Sequence, residues 1–243
     1  MAEGGVKALP LQALIWDVDG TLAETEDEGH RVAFNRAFEE AGLPWYWDRA
    51  LYEQLLAVTG GKERMRAWWR CFDPQAAEGP EADATIRRLH ELKTENYLTL
   101  LDRGAVALRP GVQALLMQAR ARGLRQAIAT TTTADNVWRL LDVTLGPAAR
   151  TLFEVVGAGD VVPAKKPAPD IYHWVLERLG LPAAACLAIE DSAPGVAAAV
   201  AAGVPVLRVR GRFGAAQPAP GTAADRDGFE DLDVDALAAM HAG

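Results

Sequence analysis

Leu11-Gln12-Ala13-Leu14-Ile15-Trp16-Asp17-Val18-Asp19-Gly20-Thr21 decides the fold. A short apolar run that halts at a glycine turn reads as a strand buried on both faces of a parallel sheet. The pattern returns three times in the second half of the chain. Residues 124–129 stop at a threonine cluster, 187–189 stop at Glu190-Asp191, and 204–209 stop near Gly211. Helix-like segments lie between them, at 112–122, 134–141, 170–179 and 193–202. Strands alternating with such helices predict βαβ units and an α/β chain with a doubly wound parallel sheet.

Residues 24–101 read differently. They hold no β-branched run but several amphipathic stretches, which predict helices over 28–40, 49–56, 62–72 and 82–101. The expected organisation is a core domain made of 10–23 and 102–243, with 24–101 inserted as a helical domain. Trp45-Tyr46-Trp47 and Trp68-Trp69 are expected to form the insertion's own apolar core. The Ala-, Pro- and Gly-rich stretch 215–228 reads as a surface loop before a last short helix.

Composition narrows the function. Half of the 243 residues are hydrophobic and 24% are charged, enough apolar material for a large core. A net charge of −8 argues against a nucleic-acid partner, which calls for a basic face. Cys71 and Cys186 form no C-x-x-C and no disulfide framework, which fits a reducing cytoplasm. The first twelve residues lack the pattern of a signal peptide. No apolar run approaches the ~20 residues of a membrane helix. A cytoplasmic monomer without membrane contact is the expectation.

In a doubly wound sheet, chemistry collects at the carboxyl ends of the strands. Four strand ends here are polar. Asp17 and Asp19 stand one residue apart, with Gly20 permitting the turn and Thr21 adding a hydroxyl. The alternative for an isolated D-x-D-G is an acidic turn or helix cap. A calcium-binding EF-hand loop fails, because Leu22 stands where that loop needs glycine and a strand precedes it. Thr130-Thr131-Thr132-Thr133 can be phosphate-facing or simply a strand edge with an N-cap. Lys165-Lys166-Pro167 can be functional or solvated surface, and Asp170 can cap the helix that follows. Glu190-Asp191-Ser192 closes the set.

Taken in this order along the chain, the four motifs resemble those of the haloacid dehalogenase superfamily of phosphohydrolases. The helical insertion between the first two is similar to that of the β-phosphoglucomutase-like subfamily. Glu24-Thr25-Glu26, Trp45 to Arg49, Thr59 to Arg64, Lys93-Thr94-Glu95, Thr130 to Asn136 and Lys165-Lys166-Pro167 resemble the CbbY sugar-bisphosphate phosphatases within it. The resemblance implies a nucleophilic Asp17, with Asp19 as general acid and then base. It implies Mg²⁺ held by Asp17, the main-chain carbonyl of Asp19, Asp191 and, outside or occasionally inside the first layer, Glu190. Thr130, Thr131 and Thr132 with Lys166 would hold the phosphoryl oxygens, while Lys165 is read as surface.

The physical logic agrees, since phosphoryl transfer needs an in-line nucleophile, charge neutralisation and a proton for the leaving group. The substrate implied is a phosphorylated sugar, xylulose 1,5-bisphosphate. Its second phosphate would lie at Gly60, Gly61, Lys62, Arg64 and Lys93, with the alternative that Arg64 and Lys93 are plain helix surface. Glu26, His30 and Asn136 are the remaining candidate sugar contacts. His30 stands one residue farther from the D-x-D motif than the family pattern has it, and Asn136 is equally a first-turn helix residue. The alternatives are a β-phosphoglucomutase or broad sugar-phosphate phosphatase and, from another class, a catalytically silent binding protein. A true dehalogenase has no need of Asp19 or of the Glu190-Asp191 pair.

Overall fold

A computed structural model describes residues 9–213 and 217–243. The expectation for the first twelve residues, and the start of the predicted 215–228 loop, therefore lie partly outside the described residues. Strands β1 (Ala13–Trp16), β2 (Arg125–Ala129), β3 (Val155–Gly157), β4 (Cys186–Glu190), β5 (Val206–Val209) and β6 (Ala224–Arg226) form one parallel sheet in the order β3-β2-β1-β4-β5-β6. Ala13 pairs with Arg125 on one side and Cys186 on the other, so β1 is central.

Side chains alternate between the two faces, as strand geometry requires. Leu14, Trp16, Leu187, Ile189 and Leu207 enter one apolar layer; Ala13, Ile15, Cys186, Ala188 and Val206 enter the other. Both faces are covered, which is why β1 is apolar throughout rather than alternating.

Between β1 and β2 the chain makes a π-helical turn, Glu26–Arg31, and helices α1 (Val32–Glu40), α2 (Arg49–Leu55), α3 (Gly61–Arg70), α4 (Pro74–Ala77) and α5 (Ala82–Asp102). Helices α6 (Val112–Ala121), α7 (Ala134–Leu145), α8 (Asp170–Leu179), α9 (Ala193–Ala201) and α10 (Val234–Ala242) flank the sheet. The segment that carries α1 to α5 has a core of its own, built on Phe34, Phe38, Trp47, Tyr52, Met65, Ile86 and Leu89. Helix α5 joins the two bodies: Ile86 and Leu89 belong to this core, Tyr97, Leu100 and Leu101 to the sheet's. Of the tandem aromatics, Trp47 is fully buried and Trp45, Trp68 and Trp69 pack against this core. Tyr46 departs from expectation and is 65% exposed, since successive residues of an extended segment point to opposite sides.

Two further expectations need correction. Among the described residues, six strands replace four. Residues 155–157 are only three long, and Ala224–Arg226 is an edge strand without an apolar pattern, inside the stretch read as loop. Asp170 caps nothing: Pro169 takes the N-cap position without a side-chain hydrogen bond, leaving Asp170 in the first turn. Its charge there still faces the positive end of the helix dipole. Thr133, by contrast, does cap α7 by accepting from the Asn136 amide at 3.4 Å.

Candidate active site

The strand order reverses at β1, and such a switch opens a crevice beyond the carboxyl ends of β1 and β4. Asp17 is the residue after β1 and Asp191 the residue after β4, so topology alone brings them together. Two glycines make the approach possible. Gly20 has φ +83°, and a Cβ on it would lie 2.1 Å from Asp191 Oδ2. A Cβ on Gly195 would lie 1.9 Å from Glu190 Oε2.

Lys166 occupies the middle. Its ammonium donates to Asp17 Oδ1 at 2.6 Å, Glu190 Oε1 at 2.6 Å and the Ala129 carbonyl at 2.8 Å, using all three protons. The Tyr172 hydroxyl donates to Glu190 Oε1 at 2.5 Å. Burial works against a charge on Lys166, but Asp17 and Glu190 outweigh it and hold the ammonium above its ordinary pKa. Burial, reinforced by Glu190 and Asp19 and opposed by Lys166, raises the Asp17 carboxyl well above its usual range. Asp191 is raised by burial and by the nearby Asp17 and Glu190.

These carboxylates fit a cation. Oxygens of Asp17, Glu190 and Asp191 lie within 4.8 Å of one another, and Glu190 Oε2 is buried without a hydrogen-bond partner. One lysine does not neutralise three acids, and a hard oxygen donor set of this kind suits Mg²⁺.

Asp19 is built differently. Its Oδ1 accepts from Thr25 Oγ1 at 2.6 Å and lies 2.9 Å from His30 Nε2. Lys93 Nζ lies 2.9 Å from His30 Nδ1. An ammonium donates there, so Nδ1 accepts and Nε2 carries the proton given to Asp19. Burial opposes ionisation of Asp19, but His30 and Thr25 outweigh it and bring its pKa to about 2. Lys93 sits between the rings of Phe34 and Tyr97, at 5.1 and 5.0 Å, and burial lowers it to about 8.

The displacement of His30 in sequence has a structural counterpart. The His30 amide bonds to the Thr25 carbonyl five residues back, at 2.8 Å, and this π-turn takes up one extra residue while still bringing the imidazole to Asp19.

Two cavities meet at Asp19, Glu26, Arg64 and Thr131. The first also reaches Asp17, Thr130, Lys166 and Asp191; the second reaches His30, Gly60, Gly61, Lys93, Thr132 and Asn136. Arg64 is buried, its Nη1 donating to the Tyr52 hydroxyl at 3.1 Å, while that hydroxyl donates to Glu26 Oε2 at 2.5 Å. Asn136 donates to Thr132 Oγ1 at 3.0 Å and leaves its own Oδ1 buried and unpartnered beside the second cavity.

Lys62 lines neither of these cavities. It pairs with Asp160 at 2.7 Å, and Lys165, read as surface, is drawn to the same carboxylate at 2.7 Å. The carboxylate of Asp160 is the nearer anion for both, and a lysine on the first turn of a helix swings readily toward it. Sequence reasoning assigned no role to Thr25, Tyr52, Tyr172 or His90, which lines the second cavity. Thr25 and Tyr52 carried a weak signal, lying within or beside the motifs quoted above; His90 and Tyr172 stand one turn from Lys93 and just beyond Lys166-Pro167.

Comparison with known proteins agrees with this geometry. The model of the haloacid dehalogenase-like hydrolases matches residues 11–203. The CbbY protein of Rhodobacter capsulatus is 52% identical over 82% of this chain and 85% of its own length. That of Cupriavidus necator is 50% identical over 81% and 77%. A solved structure of CbbY from Rhodobacter sphaeroides, in complex with xylulose 1,5-bisphosphate, superposes with a TM-score of 0.86 at 40% identity, covering 93% of this chain and 99% of that one. The chain belongs to the haloacid dehalogenase-like hydrolases. Within them it is a phosphatase of the CbbY group.

Proposed function

We propose that the chain is a Mg²⁺-dependent phosphatase converting xylulose 1,5-bisphosphate and water to xylulose 5-phosphate and inorganic phosphate. The observation that carries this reading is the pair of lobes meeting at Asp19: one lined with carboxylates and Lys166, the other with Arg64, Lys93 and the amide end of α3. A molecule with a phosphate at each end matches both. The relative solved with that ligand supports the same choice.

Asp17 attacks phosphorus and forms an aspartyl-phosphate, and the sugar oxygen leaves with a proton from Asp19. Water then attacks the acyl-phosphate, its proton passing to Asp19. Asp17, the Asp19 carbonyl and Asp191 would hold Mg²⁺, with Glu190 behind them. When bound, the ion neutralises phosphoryl charge so that a carboxylate can approach a dianion. Lys166 adds a fixed positive charge and Thr130 and Thr131 line the phosphoryl end.

In the free enzyme Asp19 is ionised, which suits the base step. The charge of an incoming phosphate raises its pKa and favours the protonated form that the first step needs. Residues 24–101 act as a cap over a core of 10–23 and 102–243, and the protein works as a cytoplasmic monomer. No helix among the described residues is long and apolar enough to cross a membrane.

The test is a panel of phosphorylated sugars ranked by kcat/KM, with Mg²⁺ and with chelator. Xylulose 1,5-bisphosphate should lead and chelator should stop turnover. A monophosphate ranking first would overturn the substrate assignment, in favour of a broad sugar-phosphate phosphatase.

A further inference from the structure

Two buried arginines stand behind the site without lining either lobe. Arg109 follows the helical insertion, and its Nη1 donates to the Gly20 carbonyl at 2.6 Å and the Val209 carbonyl at 3.1 Å. Its Nη2 donates to the Arg210 carbonyl at 2.7 Å and that of Asp227 at 3.3 Å. Arg208, on β5, donates from Nε to the Asp191 carbonyl at 3.2 Å and from Nη1 to the Gln217 carbonyl at 2.8 Å. Exposure is 7% for Arg109 and 2% for Arg208.

Both arginines donate to main-chain carbonyls; Arg109 also lies 3.4 Å from Glu24 and Arg208 3.9 Å from Asp225. Two of those carbonyls belong to the turns that follow β1 and β4. The turns are packed without slack. A Cβ on Gly20 would strike Asp191 Oδ2, and one on Gly211 would lie 3.0 Å from the same oxygen. A shift of either turn therefore moves Asp191 relative to Asp17.

We propose that Arg109 and Arg208 are positioning residues that set the spacing of the metal-holding carboxylates by clamping the Gly20 and Asp191 carbonyls. The planar guanidinium offers five donors from three nitrogens in fixed directions, whereas lysine's three donors all leave a single nitrogen. The proposal rests on the reading of Asp17 and Asp191 as Mg²⁺ ligands.

Calorimetric titration of the metal-free protein with Mg²⁺ tests it, alongside melting temperature in chelator. Arg109→Lys and Arg208→Lys should each weaken Mg²⁺ binding about tenfold or more, the usual cost of removing groups that orient metal ligands. Leu237→Ala, on α10 in the sheet core and outside the hydrogen bonds described above, supplies the comparison. It should lower the melting temperature and leave Mg²⁺ affinity unchanged. If the lysine variants do not fold, Arg109→Gln and Arg208→Gln keep two of the five donors and are expected to show the same weakening. Arginine variants that bind Mg²⁺ as tightly as wild type, or no more weakly than Leu237→Ala, overturn the proposal. A wild-type protein that takes up no Mg²⁺ overturns the underlying reading instead.

Discussion

The two lobes that meet at Asp19 are held in place by different means. In the first, Asp17, Glu190 and Lys166 are fixed by the sheet: two lie at strand ends, and the third is tied to both. In the second, Arg64, His30 and Lys93 stand on helices and are aimed by side-chain partners such as Tyr52, Phe34 and Tyr97. The first lobe is a product of topology and the second of packing. Substitution in the first should therefore strike the chemistry for every substrate, whereas substitution in the second should discriminate between substrates.

The largest effect is expected at the nucleophile pair. Asp17→Asn should abolish turnover, because an amide does not attack phosphorus. Asp19→Asn keeps its main-chain carbonyl and should retain Mg²⁺ binding while losing roughly 10²–10⁴ in kcat, the usual worth of general acid–base catalysis. The loss should be similar on a sugar bisphosphate and on an aryl phosphate. Near wild-type turnover in Asp19→Asn would break the division at its centre.

That division also governs what the sequence could reveal. Strand ends are written locally: an apolar run, a glycine and an acid suffice to place Asp17 and Asp191, and the parallel sheet brings them together. Strands β3 and β6 escaped because three residues carry too little pattern. In the helical lobe, residue type was legible but direction was not. Lys62 and Arg64 are two residues apart on the same helix, yet Arg64 turns inward to Tyr52 and Lys62 outward to Asp160. Helical periodicity separates the two by roughly 200°, but it does not say which of them meets the site. The carboxylate that captures Lys62 is far along the chain, and so is the Tyr97 ring that stacks on His30 at 4.1 Å.

Arg64→Ala sharpens the contrast. If the second lobe binds a distal phosphate, kcat/KM on the bisphosphate should fall by about ten- to a hundredfold, the range for losing a charged hydrogen bond of ~1.5–3 kcal/mol. Activity on an aryl phosphate, which has no distal group, should hold within twofold. Equal losses on both would show that Arg64 supports packing through Tyr52 rather than recognition.

A smaller effect, on stability, is expected at Asp191. Its carboxyl is held above the ordinary range by burial and by Asp17 and Glu190, so ionising it costs the metal-free fold stability. That cost is absent below the unfolded carboxyl value of about 3.9 and grows as pH rises above it. Asp191→Asn removes it. In chelator at pH 8 the variant should melt at or above the wild-type temperature, and Mg²⁺ should raise its melting temperature less than it raises the wild type's. A marked drop in chelator would make Asp191 a structural residue.

The smallest effect falls on the pair at the edge of the helical lobe. Lys62 and Asp160 have side chains 41% and 68% exposed, and they link α3 to the segment after β3. Exposed pairs contribute up to about 1 kcal/mol, so Lys62→Ala should lower kcat/KM by no more than about fivefold. Because the pair joins two bodies rather than gripping substrate, that loss should be the same on bisphosphate and aryl phosphate. It should shrink in 0.5 M salt, where the screening length is a few ångströms. Asp160→Asn should lower kcat/KM at least as much, since it removes this contact together with the Lys165 pair. A loss confined to the bisphosphate would instead mean that Lys62 leaves Asp160 when substrate enters. In that case Asp160→Asn, by releasing the lysine, should improve rather than impair turnover of the bisphosphate.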